Sequence, residues 1–294
     1  MTTFISTDPG GSTATDAQLR TLIRAYFGVI EGMGLVQTAD TGQMTEAAID
    51  AAVRVASGVY GYRMYRFNDA LQSSRPIFLR VEFRSAGQTA PVVWLQAGTA
   101  TNGAGTLTGL TSTNLQVGES GVPGTNAIWY GCHASGFAGV AQRRSFGSTP
   151  LGGFILCRTC NSDGVPTGEG FTFVRARNST AQGAQVTGFR TDTSPAVIFE
   201  GVFSIGSYSL NPYALGTTVG GELPAYLLWH ATPRISPMFG ACAVLSNVMT
   251  PGDTFEVALV GNAPRTYINP GPNGIAGENN ATTATVAYHA ILWE

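Results

Sequence analysis

Two cysteines separated by two residues are the arrangement in this sequence closest to a metal-binding motif. Cys157 and Cys160 form the motif CRTC, and Cys132-His133 lies upstream. Two thiolates at this spacing can chelate one zinc ion, and the upstream pair would complete four ligands. Cys157, however, ends an apolar run instead of lying in a tight turn, which favours a cysteine buried as a small hydrophobe. A thioredoxin-like redox pair is disfavoured because no βαβ pattern surrounds it.

Catalytic triads and carboxylate pairs are the other chemistries that the residue types allow. The histidines are His133, His230 and His289, and the carboxylates considered for a glycosidase-like pair are Glu222, Asp253 and Glu256. No GxSxG motif supplies a nucleophile. His230 and His289 lie in apolar runs typical of strands, where a structural, hydrogen-bonded histidine is expected. We therefore predict no catalytic residue, no cofactor-binding residue and no metal ligand, with zinc at CRTC as the alternative.

The large aromatic residues have two interpretations. They are Trp94, Trp129, Tyr130, Trp229 and Trp293. Exposed together, they would form a stacking platform for sugar rings, and buried they would fill the core of a β-sandwich. We predict core filling.

Composition excludes several classes of protein. Charged residues make up 12% of the 294 residues, all 16 basic residues are arginine, and the net charge is -2. A nucleic-acid-binding protein needs a basic stripe, which this sequence lacks. The sequence shows neither a secretion signal nor an apolar run long enough for a membrane span. The low charge favours a protein that is covered by neighbouring subunits after assembly in a cytoplasm.

One helix is strongly predicted. Residues 1–14 are polar and rich in glycine, and we expect a flexible or partner-ordered arm that serves as an anchor. Thr15 can cap a helix, with Gln18 as its reciprocal partner. An apolar stripe with helical spacing follows over 15–34, and Gly32 or Gly34 ends it. Residues 45–57 are compatible with either helix or strand. Residues 15–294 are predicted to form one large β-rich domain, with a possible subdivision near 120–150.

The remainder predicts strands. Residues 61–83, GYRMYRFNDALQSSRPIFLRVEF, predict a β-hairpin whose second strand points Ile77, Leu79, Val81 and Phe83 to one face. Residues 99–124 predict a long loop. Further strands are predicted at 91–98, 127–132, 153–158, 171–177, 196–205, 225–231, 241–248, 254–261 and 283–293. Many short strands separated by turns favour a mainly β, β-sandwich-like body, of jelly-roll or related type, with an N-terminal amphipathic helix.

Several segments resemble a family of virion structural proteins of tailed bacteriophages. They are GLVQTADTGQM (34–44), GYRMYRFNDALQSSRPIFLRVEFRSA (61–86), VVWLQAGTATNGAGTLTG (92–109), GFILCRTCNSDGVPTGEGF (153–171), PMFGACAVLSN (237–247) and TFEVALVGNAPRTYIN (254–269). These motifs are structural in character, and the resemblance carries no catalytic residue to this chain.

The resemblance implies a non-enzymatic component of the virion, associated with the tail, tail fibre, neck or baseplate. Its partners would be copies of itself and other virion proteins, and its mechanism would be assembly. The first alternative is a receptor-recognition module of the tail that binds a host surface glycan. Less favoured alternatives are a capsid decoration protein and a tail-borne hydrolase.

Overall fold

Three antiparallel β-sheets and two α-helices make up the structure, which is a computed structural model. It describes residues 2–5, 15–85, 91–117, 128–143, 153–161, 163–175, 185–202, 222–229, 235–245, 252–257, 263–268 and 287–294.

The first helix, α1 (Asp16–Gly32), begins where the sequence predicts. Gln18 donates its backbone N–H to the Thr15 hydroxyl, and the Gln18 side-chain oxygen accepts the Thr15 N–H at 2.7 Å. This reciprocal pair satisfies two N–H groups that otherwise lack partners at a helix start. The ambiguous segment contains a short helix, α2 (Glu46–Asp50), which is capped by Thr45. A 3₁₀ helix, Ala70–Ser73, is also present.

Eighteen strands are present in the described part of the chain. In chain order they are β1 (Thr2–Ile5), β2 (Val36–Gln37), β3 (Gly58–Arg66), β4 (Phe78–Ser85), β5 (Pro91–Thr101), β6 (Leu107–Thr111), β7 (Leu115–Val117), β8 (Ile128–Ala134), β9 (Phe137–Arg143), β10 (Phe154–Cys160), β11 (Pro166–Arg175), β12 (Gln185–Arg190), β13 (Ala196–Val202), β14 (Glu222–Trp229), β15 (Ile235–Leu245), β16 (Thr254–Val257), β17 (Arg265–Ile268) and β18 (Ala287–Leu292).

The strands form three sheets. Sheet I has the order β2-β3-β4-β5-β6, with β7 also paired to β5. Sheet II has the order β1-β8-β9-β10-β11-β12-β13, and sheet III has the order β14-β15-β18-β17-β16. All pairings among the described strands are antiparallel. Most strands that are neighbours in a sheet are also consecutive in sequence.

The predicted hairpin is confirmed as β3 and β4. Tyr65 pairs with Leu79, and Arg63 pairs with Val81. Leu79, Val81 and Phe83 are buried on the face that joins the main core, as the period-two pattern predicts. The connection is longer than a tight turn because it contains the 3₁₀ helix.

Sheet II is the middle layer. On one face, Phe154, Leu156 and Phe173 enter the same core as α1 and sheet I. On the other face, Tyr130 packs edge-on against Trp293, which follows β18 of sheet III. The mainly β, sandwich-like body with an N-terminal helix is therefore confirmed.

Aromatic contacts fix α1 on sheet I. Phe27 meets Phe83 edge-to-face with ring centroids 5.4 Å apart, and Tyr26 meets the same ring at 5.8 Å. Full burial of a ring of this size stabilises the fold by about 2–3 kcal/mol. The helix is thus held by its apolar stripe.

Two predicted irregular segments contain strands. The loop predicted over 99–124 is wrong in its first part, because β6 and β7 lie there. Asn102 makes this hairpin possible, since its side-chain oxygen accepts the N–H groups of Ala104 and Thr106. At the N-terminus, Thr2–Ile5 of the predicted arm pairs with β8 as β1. The other residues of that arm lie outside the described residues.

Candidate functional site

The CRTC motif lies on a strand in the middle layer. Cys157 is buried, in agreement with its predicted role as a small hydrophobe, and Cys160 ends β10 beyond a register shift. Burial raises the pKa of the Cys160 thiol to about 11. The thiolate is the reactive and metal-binding form, so this environment disfavours both uses.

The upstream pair does not converge on one site. Cys132 and His133 are consecutive on β8, and their side chains point to opposite faces. Cys132 donates to the backbone oxygen of Glu294 at 3.5 Å, on the side of sheet III. His133 instead packs on Phe67, on the side of sheet I. In the described part of the chain, no group of three or more histidine, cysteine or acidic side chains is placed to hold a metal ion.

His133 lies beside a buried ion pair between sheets I and II. Arg158 donates to both carboxylate oxygens of Asp69 at 2.7 and 3.0 Å, and donates to the Arg75 carbonyl at 2.7 Å. The side chains of Arg158 and Asp69 are 2% and 3% exposed. The guanidinium also lies 5.2 Å from the centroid of the Phe67 ring. This cluster fixes the hairpin connection to sheet II.

The same cluster sets the state of His133. Its Nε2 accepts the backbone N–H of Asn68 at 3.4 Å, which requires that nitrogen to be unprotonated. Burial lowers the pKa of His133, and the nearby Asp69 carboxylate opposes this effect only in part. The imidazole therefore serves as a neutral acceptor of a backbone hydrogen bond.

A second buried arginine joins sheet II to the β6–β7 connection. Arg175 donates to Glu200 at 3.2 Å and to the hydroxyls of Thr187 and Ser112. It also donates to the Thr113 carbonyl. Burial lowers the pKa of Arg175 to about 10, because the Glu200 carboxylate only partly offsets the loss of water. Glu200 also accepts the Thr113 N–H, so two layers share this network.

A third arginine joins both helices to sheet I. Arg63 of β3 bridges Glu31 of α1 and Glu46 of α2, with 2.7 Å in each ion pair. Its guanidinium lies 4.6 Å from the Phe27 centroid. The Tyr65 hydroxyl donates to the same Glu31 carboxylate at 3.0 Å. The position of α2 is therefore set by a residue distant in sequence.

Residues 34–44 and 92–109 meet at Asp40. Asp40 accepts hydrogen bonds from the hydroxyls of Thr38 and Thr101, at 2.6 and 2.7 Å, and from the Gly105 N–H at 3.2 Å. Burial alone would raise the pKa of Asp40, but the hydroxyl hydrogen bonds outweigh it and hold that pKa below its usual range. The carboxylate thus serves to join the segment after β2 to the β5–β6 turn.

The opposite face of sheet I carries an aromatic and charged cluster. Glu82 is only 2% exposed and forms ion pairs with Arg80 and Arg84. Arg84 lies 4.2 Å above the Trp94 ring, and Arg80 lies 4.6 Å from the Tyr62 centroid. Trp94 remains partly exposed, so the predicted core role does not hold for this tryptophan.

Other predicted candidates are placed as follows. Asp253 and Glu256 are exposed, and Glu256 lies on the β16–β17 hairpin. His230 lies outside the described residues. His289, Glu222, Trp129 and Trp229 lie on described strands, but their side chains are outside the described set. The sequence analysis did not identify Arg63, Arg158 or Arg175 as important. The feature that could have identified them is an arginine inside a run of apolar, strand-forming residues.

Comparisons with protein-family models, curated proteins and solved structures found no match to this chain. Neither helix in the described ranges has the length and apolar character needed to cross a membrane.

Proposed function

We propose that the protein is a non-enzymatic structural subunit of a tailed-phage virion. It assembles with copies of itself and docks to other virion proteins in the tail region, that is, the tail, fibre, neck or baseplate. Assembly takes place in the cytoplasm of the bacterial host.

The observation that carries this proposal is that buried arginines join the layers and elements of the fold. Arg63, Arg158 and Arg175 each join two layers or elements, and each is neutralised by a carboxylate of the same chain. Such pairs contribute most when both partners are held rigidly, and removing one partner leaves an uncompensated buried charge. These residues are therefore suited to fixing the relative positions of the layers.

Surface properties support assembly. Val53, Val55 and Val59 are exposed; the first two precede β3 and the third lies at its start. Apolar patches on a protein with few charges are typical of surfaces that contact another subunit. The phage-like segments add the resemblance that directs the proposal to a virion.

A glycan-binding module of the phage tail is the second candidate. The cluster of Tyr62, Arg80, Arg84 and Trp94 favours it, since aromatic rings stack on sugars and guanidinium groups bind their hydroxyls. Isothermal titration with host surface polysaccharide tests this candidate. Loss of binding in Trp94→Ala, with binding kept in Trp293→Ala, would favour it.

The structural proposal is tested by mass photometry of the purified protein together with immunogold labelling of intact phage. We expect a defined oligomer and label at the tail. A monomer in solution, together with particles that carry no label, would overturn the proposal. Label on the capsid would retain a structural role and move the protein to decoration of the head.

A further inference from the structure

Strand β1 lies at one edge of sheet II, as β13 does at the other. Thr2, Thr3, Phe4 and Ile5 pair with Gly131, Tyr130, Trp129 and Ile128 of β8, in that order. Within the described strands, β1 pairs with β8 alone and is the outermost strand of its sheet. It also lies against α1.

The length and composition of the linker after β1 are compatible with pairing of β1 to β8 of the same chain or of another copy. Residues 6–14 read STDPGGSTA, in which Pro9-Gly10-Gly11 favours neither strand nor helix. At about 3.3 Å per residue, this linker spans up to about 30 Å. A linker of that length lets β1 pair with β8 of the same chain and would also reach a β8 of an adjacent copy lying within about 30 Å.

The side of β8 that pairs with β1 needs a partner for its backbone hydrogen bonds. β8 continues to Ala134, and its other side pairs along its whole length with β9. Without β1, those N–H and C=O groups of residues 128–131 that point away from β9 would form an open edge. The strand TTFI contains none of the charged residues or prolines that protect natural edges from pairing with other chains.

From this geometry we propose that β1 is exchanged between copies in the assembled protein, so that Thr2–Ile5 of one copy pairs with β8 of the next. This proposal rests on the proposed function, because it needs copies held close together. The strand makes the same backbone hydrogen bonds in either arrangement, so linker length and local concentration set the balance. Exchange of an identical element is a low-cost route to an oligomer.

The occupant is a second copy and not an unrelated peptide, because the register is already defined within this chain. Any copy of residues 2–5 fits residues 128–131 with the same pairing. In an isolated monomer, β1 covers the edge of β8 in its own chain. In a concentrated assembly, the same edge becomes a joint between subunits.

Cysteine cross-linking distinguishes the two arrangements. Two differently tagged copies, one carrying Ile5→Cys and the other Ile128→Cys, are co-expressed, purified as the full chain and oxidised with diamide. The pair Phe4→Cys and Trp129→Cys is made as well, since two neighbouring antiparallel pairs differ in geometry and one suits a disulfide better. Exchange predicts a covalent product that contains both tags, at twice the mass of one chain.

Three controls accompany this test. The double variant Ile5→Cys/Ile128→Cys in one chain reports the register itself. Glu256→Cys and Thr266→Cys, paired within the β16–β17 hairpin, should link only within one chain. The unmodified protein reports any background from its own cysteines.

Each outcome decides the proposal. A product with both tags supports exchange. A disulfide that forms only within one chain of the double variant overturns exchange. The absence of a disulfide at both cysteine pairs overturns it as well. Mass photometry of the same samples separates the two proposals: an oligomer without exchange leaves the structural function in place, whereas a monomer removes its support as well.

Deletion of residues 2–5 gives an independent measurement. If β1 joins the copies, this deletion should weaken association at least tenfold while circular dichroism of the β-rich body changes little. Unchanged association would overturn the proposal.

Discussion

The ion pair between Arg158 and Asp69 should contribute strongly to stability. Replacing Arg158 with methionine keeps an unbranched side chain but removes the three hydrogen bonds to Asp69 and the Arg75 carbonyl. It leaves the Asp69 carboxylate buried without a cation. Removing one partner of a buried pair costs about 3–5 kcal/mol, and we expect this loss in the free energy of unfolding.

Urea denaturation followed by tryptophan fluorescence measures this effect. Asp69→Asn, which leaves Arg158 buried without its counter-ion, should cost a similar amount. The double variant should lose less than the sum of the two, because the second change removes the charge that the first left unpaired. Amide exchange at residues 69–75 should increase in all three variants, since Arg158 also holds the Arg75 carbonyl.

Arg190 provides the matched control. It pairs with Asp192 at the surface, with both side chains about one-quarter to one-third exposed. Arg190→Met should therefore cost less than about 1 kcal/mol, as exposed pairs do. If Arg158→Met cost no more than Arg190→Met, the reasoning that Arg158 fixes two layers together would be refuted.

Three further results are expected. Gly105→Ala should destabilise the fold by about 1 kcal/mol or more beyond Gly103→Ala, as measured by urea denaturation: both glycines have positive φ, but only at Gly105 would a Cβ overlap Tyr62. The unfolding free energy should fall as pH drops below about 6.5, because burial lowers the pKa of His133 and the unfolded chain then binds more protons. His133→Gln should reduce the slope of unfolding free energy against pH between about pH 7 and 5.5. An unchanged slope would contradict this prediction. Cys160 should react with iodoacetamide at pH 8 more slowly than glutathione, by peptide mass spectrometry, because burial raises its pKa to about 11; equal rates would show an accessible thiolate.

Three of the few charged residues of this chain are buried arginines. With 12% of residues charged, the protein nevertheless places Arg63, Arg158 and Arg175 largely in its interior. Arginine suits this role because its planar group donates several hydrogen bonds and packs on aromatic rings. Phe27, Phe67 and Phe173 provide such rings. In the proposed assembly, a body fixed in this way would present constant surfaces to neighbouring subunits.

Local features of the sequence predicted local structure. The helix start at Thr15 followed from a side chain that reaches only three residues ahead. The hairpin of β3 and β4 followed from the alternation that ends at Phe83, since one face of a half-buried strand must be apolar. Cys157 was predicted to be buried from the apolar run before it. Each of these interactions depends on residues close together along the chain.

Some errors came from turns whose chemistry was not recognised. Asn102 folds the Gly- and Thr-rich segment back on itself, so that β6 pairs with β5 where a loop was predicted. The segment from 45 was ambiguous because its propensities do not separate helix from strand. In the structure Thr45 caps α2, and Arg63 of β3 forms an ion pair with Glu46 in its first turn.

The sequence by itself determined the class of fold, because periodicity, capping and turn residues act over a few positions. Tertiary structure alone decided which charges meet and which strand lies at the edge. Arg158 lies on β10 of sheet II and Asp69 in the connection between β3 and β4 of sheet I, and nothing near either residue identifies its partner. Thr2–Ile5 gains a partner only because β8 has an unpaired side. Burial favours both pairings strongly, because a charge or a backbone polar group removed from water costs free energy unless the fold supplies a partner.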